Sequence, residues 1–320
     1  MRVLLTGSSG WLGRFLAPAL RDAGHGVIGL DVAPGADTAI VGSVADRNLV
    51  DRVFVDHRPD AVIHAAALHK PDIARYPAQA FVDVNITGTL NLLEAATAHG
   101  ASRFVFTSTT SLMISQAIRD GAGERAAWID ETLAPLEPRN IYGVTKLAAE
   151  QLCRLQHHLH GLPVVILRTA RFFPEEDDTH RALDGENMKA NELLHRRLTV
   201  EDAAEAHLAA LDRAPALGFD TFILSAPTPF DRGDAAALKS DAATVIARYF
   251  PEAAALYAAR GWSLPASIDR VYDAAHAANR LGFRCRTDFA TALEALRDGA
   301  PLPFAHDAAY QSPALGRLSA

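Results

Sequence analysis

Residues 3–31 read VLLTGSSGWLGRFLAPALRDAGHGVIGLD, and this opening constrains the fold more than any other stretch. VLLTG (3–7) is an apolar run ending in glycine, which predicts a buried parallel strand rather than a half-solvated one. WLGRFLAPALRDAG (11–24) carries apolar residues at helical spacing and stops at Gly24, and GVIGLD (26–31) predicts a second strand. The alternation continues with strands over AVIHAA (61–66), SRFVFTST (102–109) and LPVVILRTA (162–170). Helices are predicted over VNITGTLNLLEAATAHG (84–100) and around YGVTK (142–146). Strands separated by helices of this length imply an α/β fold, a parallel sheet covered on both faces. Right-handed crossovers make it doubly wound, with ligands expected at the carboxyl ends of the strands.

The turn between the first strand and helix, TGSSGWLG, spaces Gly7, Gly10 and Gly13 as Gly-x-x-Gly-x-x-Gly. Such glycines permit a tight turn, close approach of backbone to a pyrophosphate, and close helix–strand packing. The helix start adds free N–H groups and a positive dipole end. Asp31 ends the second strand, where a carboxylate accepts hydrogen bonds from ribose hydroxyls and repels a 2′-phosphate. No arginine follows it, only VAPGAD, so NAD is expected over NADP. A solvated strand end is the other reading of Asp31.

Composition narrows the partners. A chain of 320 residues fits one large domain or two unequal ones, and a net charge of −7 without a basic block gives no support to nucleic-acid binding. The densest basic spot is only His195, Arg196 and Arg197. Cys153 and Cys285 are too few and too scattered for a disulfide framework or a metal site, which points to a reducing compartment. The apolar run at the N-terminus is too short for a signal peptide or membrane span, so a cytoplasmic protein acting on a small molecule is expected.

Among 31 basic residues only four are lysines, and Lys146 follows Tyr142 at Tyr-x-x-x-Lys spacing. With the glycine turn, HAAA (64–67), VNITGTLNLLEAA (84–96), FVFTST (104–109), YGVTK and ILR (166–168), the chain resembles the extended short-chain dehydrogenase/reductase family, specifically its NAD-dependent epimerase/dehydratase branch. The resemblance runs in order over 3–170 and resumes at 198–212 and 270–283. It implies a Rossmann-type domain over 1–170 with 198–226 returning to it. A smaller C-terminal substrate-binding region would comprise 171–197 and 227–320.

The resemblance assigns Tyr142 as general acid/base and Lys146 as its tuner and a contact of the cofactor ribose. A free phenol titrates near pH ~10 and is a poor base at neutral pH unless a cation favours phenolate. A lysine one turn on lies on the same helix face, and its compact ammonium fits where a guanidinium fork would not. Thr109 matches the family's serine, with Ser108 and Ser111 as second choices, unless these hydroxyls merely cap a strand end. Trp11, Leu12, Ser43, Val44, Ala65, Ala66 and Ala67 are expected around the cofactor. His64 is expected as a packed histidine and Asn85 as a helix-start hydrogen bonder. The family also implies a homodimer through the helices at 84–99 and 140–160.

The substrate side departs from the family. Where relatives continue with an asparagine and a glycine-proline pair, this chain reads RFFPEEDD, with Arg171 near the asparagine's place. Only 24 residues, 174–197, precede the return to the sheet, which favours a small substrate. Glu175, Glu176, Asp177, Asp178, His180, Asn187, Asn191, Glu192, His195, Arg196 and Arg197 either line a hydrophilic pocket or form a solvated face. Their carboxylates lack the ordered spacing of a cation loop, so no metal is expected. His69, Lys70 and Trp128 are placed to reach a substrate, with a structural role for His69 equally open. Arg270 resembles an arginine that approaches the pyrophosphate in nucleotide-sugar relatives, unless it pairs with Asp273. Residues 300–320 read as a weakly structured tail.

The expected function is NAD-dependent, reversible hydride transfer at a secondary alcohol of a small polyhydroxylated substrate, a sugar or sugar acid. The alternatives are a nucleotide-sugar 4-epimerase or dehydratase, and an NAD-sensing regulator without turnover.

Overall fold

A computed structural model describes residues 1–175 and 183–313. Seven strands form one parallel sheet: β1 (Arg2–Thr6), β2 (Gly26–Asp31), β3 (Ile40–Val41), β4 (Ala61–His64), β5 (Phe104–Thr109), β7 (Val164–Thr169) and β8 (Phe219–Leu224). β6 (Ala127–Ile129) and β9 (Arg270–Tyr272) pair separately, also in parallel. The order of the large sheet is β3-β2-β1-β4-β5-β7-β8, so the direction of winding reverses between β1 and β4. A crevice opens at such a reversal, beyond the carboxyl ends of the strands.

Period-two side-chain alternation on fully apolar strands builds two cores. Val3 and Leu5 face the helices Trp11–Asp22 and Val200–Leu217, while Leu4 faces the helices Arg47–His57, Gly88–Ala98 and Ile141–His160. The sequence reading missed the short β3 and the helix Arg47–His57, whose two apolar turns are interrupted by charge. The helix expected over 84–100 is continuous but begins with a π turn, Val82–Thr87.

A third core gathers Leu193, Leu238, Ile246, Val271 and Phe289 around the small sheet. The helix Gly185–Leu193 is buried along nearly its whole length, including Asn187, Lys189, Asn191 and Glu192. These polar positions therefore do not form the solvated face weighed above. They are internal, because Ala190 and Leu193 anchor this helix in the third core and its amides bond the Ser263 carbonyl. Glu176, Asp177, Asp178 and His180 lie outside the described residues, as do residues 314–320 of the tail. Residues 300–313 contain no helix or strand, yet they dock rather than trail, with Phe304 buried in the third core. Among the described residues no helix is long and apolar enough to cross a membrane.

Candidate active site

At the winding reversal a cleft with about 1010 Å³ of open space is bounded by the glycine turn, the ends of β4 and β5, and the start of the helix Ile141–His160. Gly7 sits at φ +77°, and a β-carbon on it would lie 2.8 Å from the Ala66 nitrogen. A β-carbon on Gly13 would lie 2.1 Å from the Gly7 carbonyl oxygen, so the first helix can rest on the turn only with glycine there. Gly10 makes no side-chain cap, so no side chain of the turn takes up the leading N–H groups of the helix. Asp31 is 7% exposed, and its carboxylate accepts the Ser9 N–H at 2.9 Å and the Ala33 N–H at 3.0 Å. It is not a solvated strand end but a brace on the glycine turn. Ser43, Val44, Ala65, Ala66 and Ala67 line the same cleft. The close-packed turn, the uncapped helix start and the strand-end carboxylate together fit a dinucleotide.

The other end of the cleft carries the proton-transfer groups. Asn140 caps the helix Ile141–His160 by accepting the Gly143 N–H at 2.9 Å, which starts the helix one residue before the phenol. Tyr142 and Lys146 then face the cleft one turn apart. Thr109 ends β5 and is not one of the residues lining the cleft; its hydroxyl caps the strand end by accepting the Ser111 N–H at 3.0 Å, and its side chain favours the ionised form of the phenol. Burial pushes the Tyr142 phenol up to about 12, the Thr109 bond opposes that push, and the Asp72 carboxylate adds to it. Burial lowers Lys146 to about 7, against the pull of Cys153 and Glu150, and its ammonium stands 4.0 Å from the centre of the Phe106 ring. Among the protein's own groups, then, desolvation governs both members of the pair, and the phenol is pushed up rather than down.

Comparison with known proteins agrees with this geometry. The family model described as the NAD dependent epimerase/dehydratase family matches residues 3–218. The chain belongs to this family. It is 35% identical over 176 residues to the UDP-glucose 4-epimerase of Azospirillum brasilense, covering 52% of this chain and 48% of that one. It is 34% identical over 188 residues to the dTDP-glucose 4,6-dehydratase of Streptomyces niveus, covering 52% and 53%. The matches thus span about half the length of these relatives. Its fold is like that of the UDP-N-acetylglucosamine 4-epimerase from Bacillus cereus, with a TM-score of 0.64 at 22% identity over 92% of this chain and 97% of that one.

Several positions of the chain differ from expectation. Ser108 lines the cleft, but its hydroxyl is committed at 2.5 Å to Glu150, which also pairs with Arg168 at 2.7 Å. It ties β5 to the helix Ile141–His160. The Ser111 N–H donates to Thr109, and its side chain does not line the cleft. Asn85 is not a helix-start bonder. Its side chain bonds the N–H and carbonyl of Leu68 and the Thr145 hydroxyl, tying the loop after β4 to the Tyr142 helix. His64 is packed as expected, between the hydroxyls of Thr6 and Thr89, and burial keeps it neutral. Trp128 lies on β6 and donates to Asp273 at 3.0 Å, away from the cleft; Lys70 does not line it either. His69 does, held by Asp72 at 2.7 Å and stacked on Phe173 at 4.8 Å.

On the substrate side Arg171 stands 3.9 Å from the buried Glu192, which also pairs with Arg196 and Arg197. The His195 ring bonds the Arg270 carbonyl. Asp273 is engaged by Trp128 and Arg232, so the Arg270–Asp273 pair does not form. Arg270 is 8% exposed, its Nε has no partner, and its charge acts on Arg139 and Arg196. The sequence reading missed Asp72, Phe172, Phe173, Thr169, Ser312 and Pro313, which complete the cleft wall. Only the doubled phenylalanine in RFFP was a visible signal, since its apolar pair interrupts an otherwise charged stretch.

Proposed function

We propose that this chain is a nucleotide-sugar 4-epimerase or dehydratase that oxidises a hexose hydroxyl with bound NAD and returns the hydride within the same turnover. The observation that carries the reaction class is the convergence of the glycine turn, Asp31, Tyr142 and Lys146 on one cleft, with Thr109 beside the phenol at the end of β5. Bound NAD would supply the hydride acceptor. Gly7, Gly10 and Gly13 leave room for its pyrophosphate, Asp31 takes the ribose hydroxyls, and Lys146 stands beside the phenol to bond the nicotinamide ribose. Thr109 orients the sugar hydroxyl and Tyr142 takes its proton. Because burial and the Asp72 carboxylate hold the phenol up at about 12, cationic charge at the nicotinamide end would be what brings it within reach of neutral pH.

The choice of a nucleotide sugar over a free sugar rests on relatives of the epimerase and dehydratase type and on Arg270. A guanidinium this buried without a carboxylate costs several kcal/mol unless an anion completes it. A diphosphate does so, as would the carboxylate of a sugar acid, whereas a neutral sugar does not; the relatives favour the diphosphate. The short 174–197 segment, which favoured a small substrate, is offset by this buried positive charge. A regulator would need no proton-transfer set beside the dinucleotide. Exposed Val144, Leu155 and Leu159 on the Tyr142 helix support a homodimer across that face.

Incubation with NAD and a panel of UDP- and dTDP-hexoses and free sugars tests the reading. An isomerised or dehydrated nucleotide sugar without net NADH supports it. NADH accumulating from a free sugar overturns it in favour of a dehydrogenase, and NAD binding without turnover favours the regulator.

A further inference from the structure

Phe304 is buried in the third core, residues 305–309 cross in the open, Tyr310 packs on Trp11, and Ser312 and Pro313 settle at the cleft. Ser312 and Pro313 line it together with Trp11, His69, Phe172, Phe173, Tyr142 and Lys146. The crossing has a fastening at each end. At the near end His306 bonds Lys189 at 2.6 Å and the Asp307 N–H donates to the Pro174 carbonyl at 2.9 Å. At the far end the Tyr310 ring meets the Trp11 ring edge-on at 5.3 Å. The Ser312 hydroxyl lies 3.3 Å from His69 Nε2, and Arg75 donates to the Ser312 carbonyl at 3.3 Å.

We infer that residues 306–313 form a detachable strap that closes the ligand cleft, with Tyr310 and Ser312 as its latch. The proposal rests on the reading that the cleft takes NAD. Two features of the far fastening support it. First, the strap fastens to residues that are rigid for other reasons. His69 is held at Nδ1 by the buried Asp72 and stacked on Phe173, Arg75 is anchored on the same carboxylate, and Trp11 donates to the Phe172 carbonyl. The receiving surface therefore stays in place when the strap leaves. Second, the strap itself has no helix or sheet hydrogen bonding and its span is exposed, which places it among the parts of a protein that open at little free-energy cost. Trp11 belongs at once to the glycine turn's helix and to the latch, so the strap abuts the dinucleotide end of the cleft as well as the Tyr142 end. Release of a dinucleotide past Ser312 and Pro313 needs the strap to lift.

Two measurements test this. Stopped-flow release of NADH from the full-length chain is compared between the wild type and Tyr310→Ala, Ser312→Ala and the double variant. Losing the aromatic contact and one hydrogen bond should speed release about tenfold in the double variant, with the melting temperature lowered by no more than a few degrees. Equal release rates overturn the strap. Amide hydrogen exchange of Asp307 and Tyr310 needs no ligand: protection, lost in the double variant, supports docking, and exchange as fast as in a free peptide overturns it. If the wild type binds no NADH, the proposed function fails, and the exchange result alone decides the strap.

Discussion

Gly13→Ala offers the sharpest test of why the cleft has its shape. The added carbon would stand 2.1 Å from the Gly7 carbonyl oxygen, 2.7 Å from Ser8 Cα and 2.8 Å from the Ser8 carbonyl carbon, all of them backbone. No rotamer change can give way, so the helix Trp11–Asp22 and the turn must separate by roughly 1 Å to restore ordinary contact. Overpacking of this kind costs about 1–3 kcal/mol. The same displacement carries the Trp11 and Leu12 N–H groups away from their proposed phosphate positions. Since a hydrogen bond to a charged group contributes about 1.5–3 kcal/mol, NADH affinity should fall by about tenfold to a hundredfold. Gly26→Ala is the matched control. Its nearest neighbour would be the Met1 carbonyl oxygen at 3.8 Å, and its backbone is not left-handed. It should change stability by less than about 0.5 kcal/mol. Thermal melting and NADH fluorescence titration on both variants suffice. A Gly13→Ala protein that melts and binds like the wild type would refute the close-packing account of this glycine.

Tyr142→Phe should keep NADH binding and lose turnover by about 10²–10⁴-fold; substantial residual activity in a coupled assay would remove the phenol from the chemistry. Asp31→Ala deletes both the brace on Ser9 and the charge that disfavours a 2′-phosphate. It should weaken NAD more than NADP, and an unchanged ratio of the two dissociation constants counts against the ribose contact. Lys146 gives a pH signature. With its folded pKa near 7 against an ordinary 10.5, it is protonated in both states below pH 7, where the fold bears the whole cost of a buried ammonium. Between 7 and 10.5 the unfolded chain holds one more proton, so this contribution to stability rises with pH. Lys146→Met should therefore be inactive yet melt higher at pH 6, with the gain shrinking toward pH 10. A melting point below the wild type at pH 6 would contradict that sign.

What could be read from the residues alone was local or periodic. Apolar runs of strand length, the Gly7–Gly10–Gly13 spacing at a strand–helix junction, Asp31 at the next strand end and the one-turn step from Tyr142 to Lys146 each lie within a short window. Each is dictated by backbone geometry that acts over a few residues. The winding order and the cofactor end of the cleft follow from them, because right-handed crossovers leave few other arrangements. Decisions that depend on residues far apart in the chain were not legible in this way. Glu150 takes the Ser108 hydroxyl across 42 positions, Asn85 reaches Thr145 across 60, and Ser312 meets His69 across 243. Nothing in the local pattern near any of these residues names its partner. The helix Gly185–Leu193 shows the same limit most plainly. Its polar composition reads as a surface, and it is buried because the distant Ser263 carbonyl takes its amides while Arg196 and Arg197, just past its end, pair with Glu192. A buried polar group is stable only where a distant partner meets it, and that meeting is a property of the packed chain rather than of any segment.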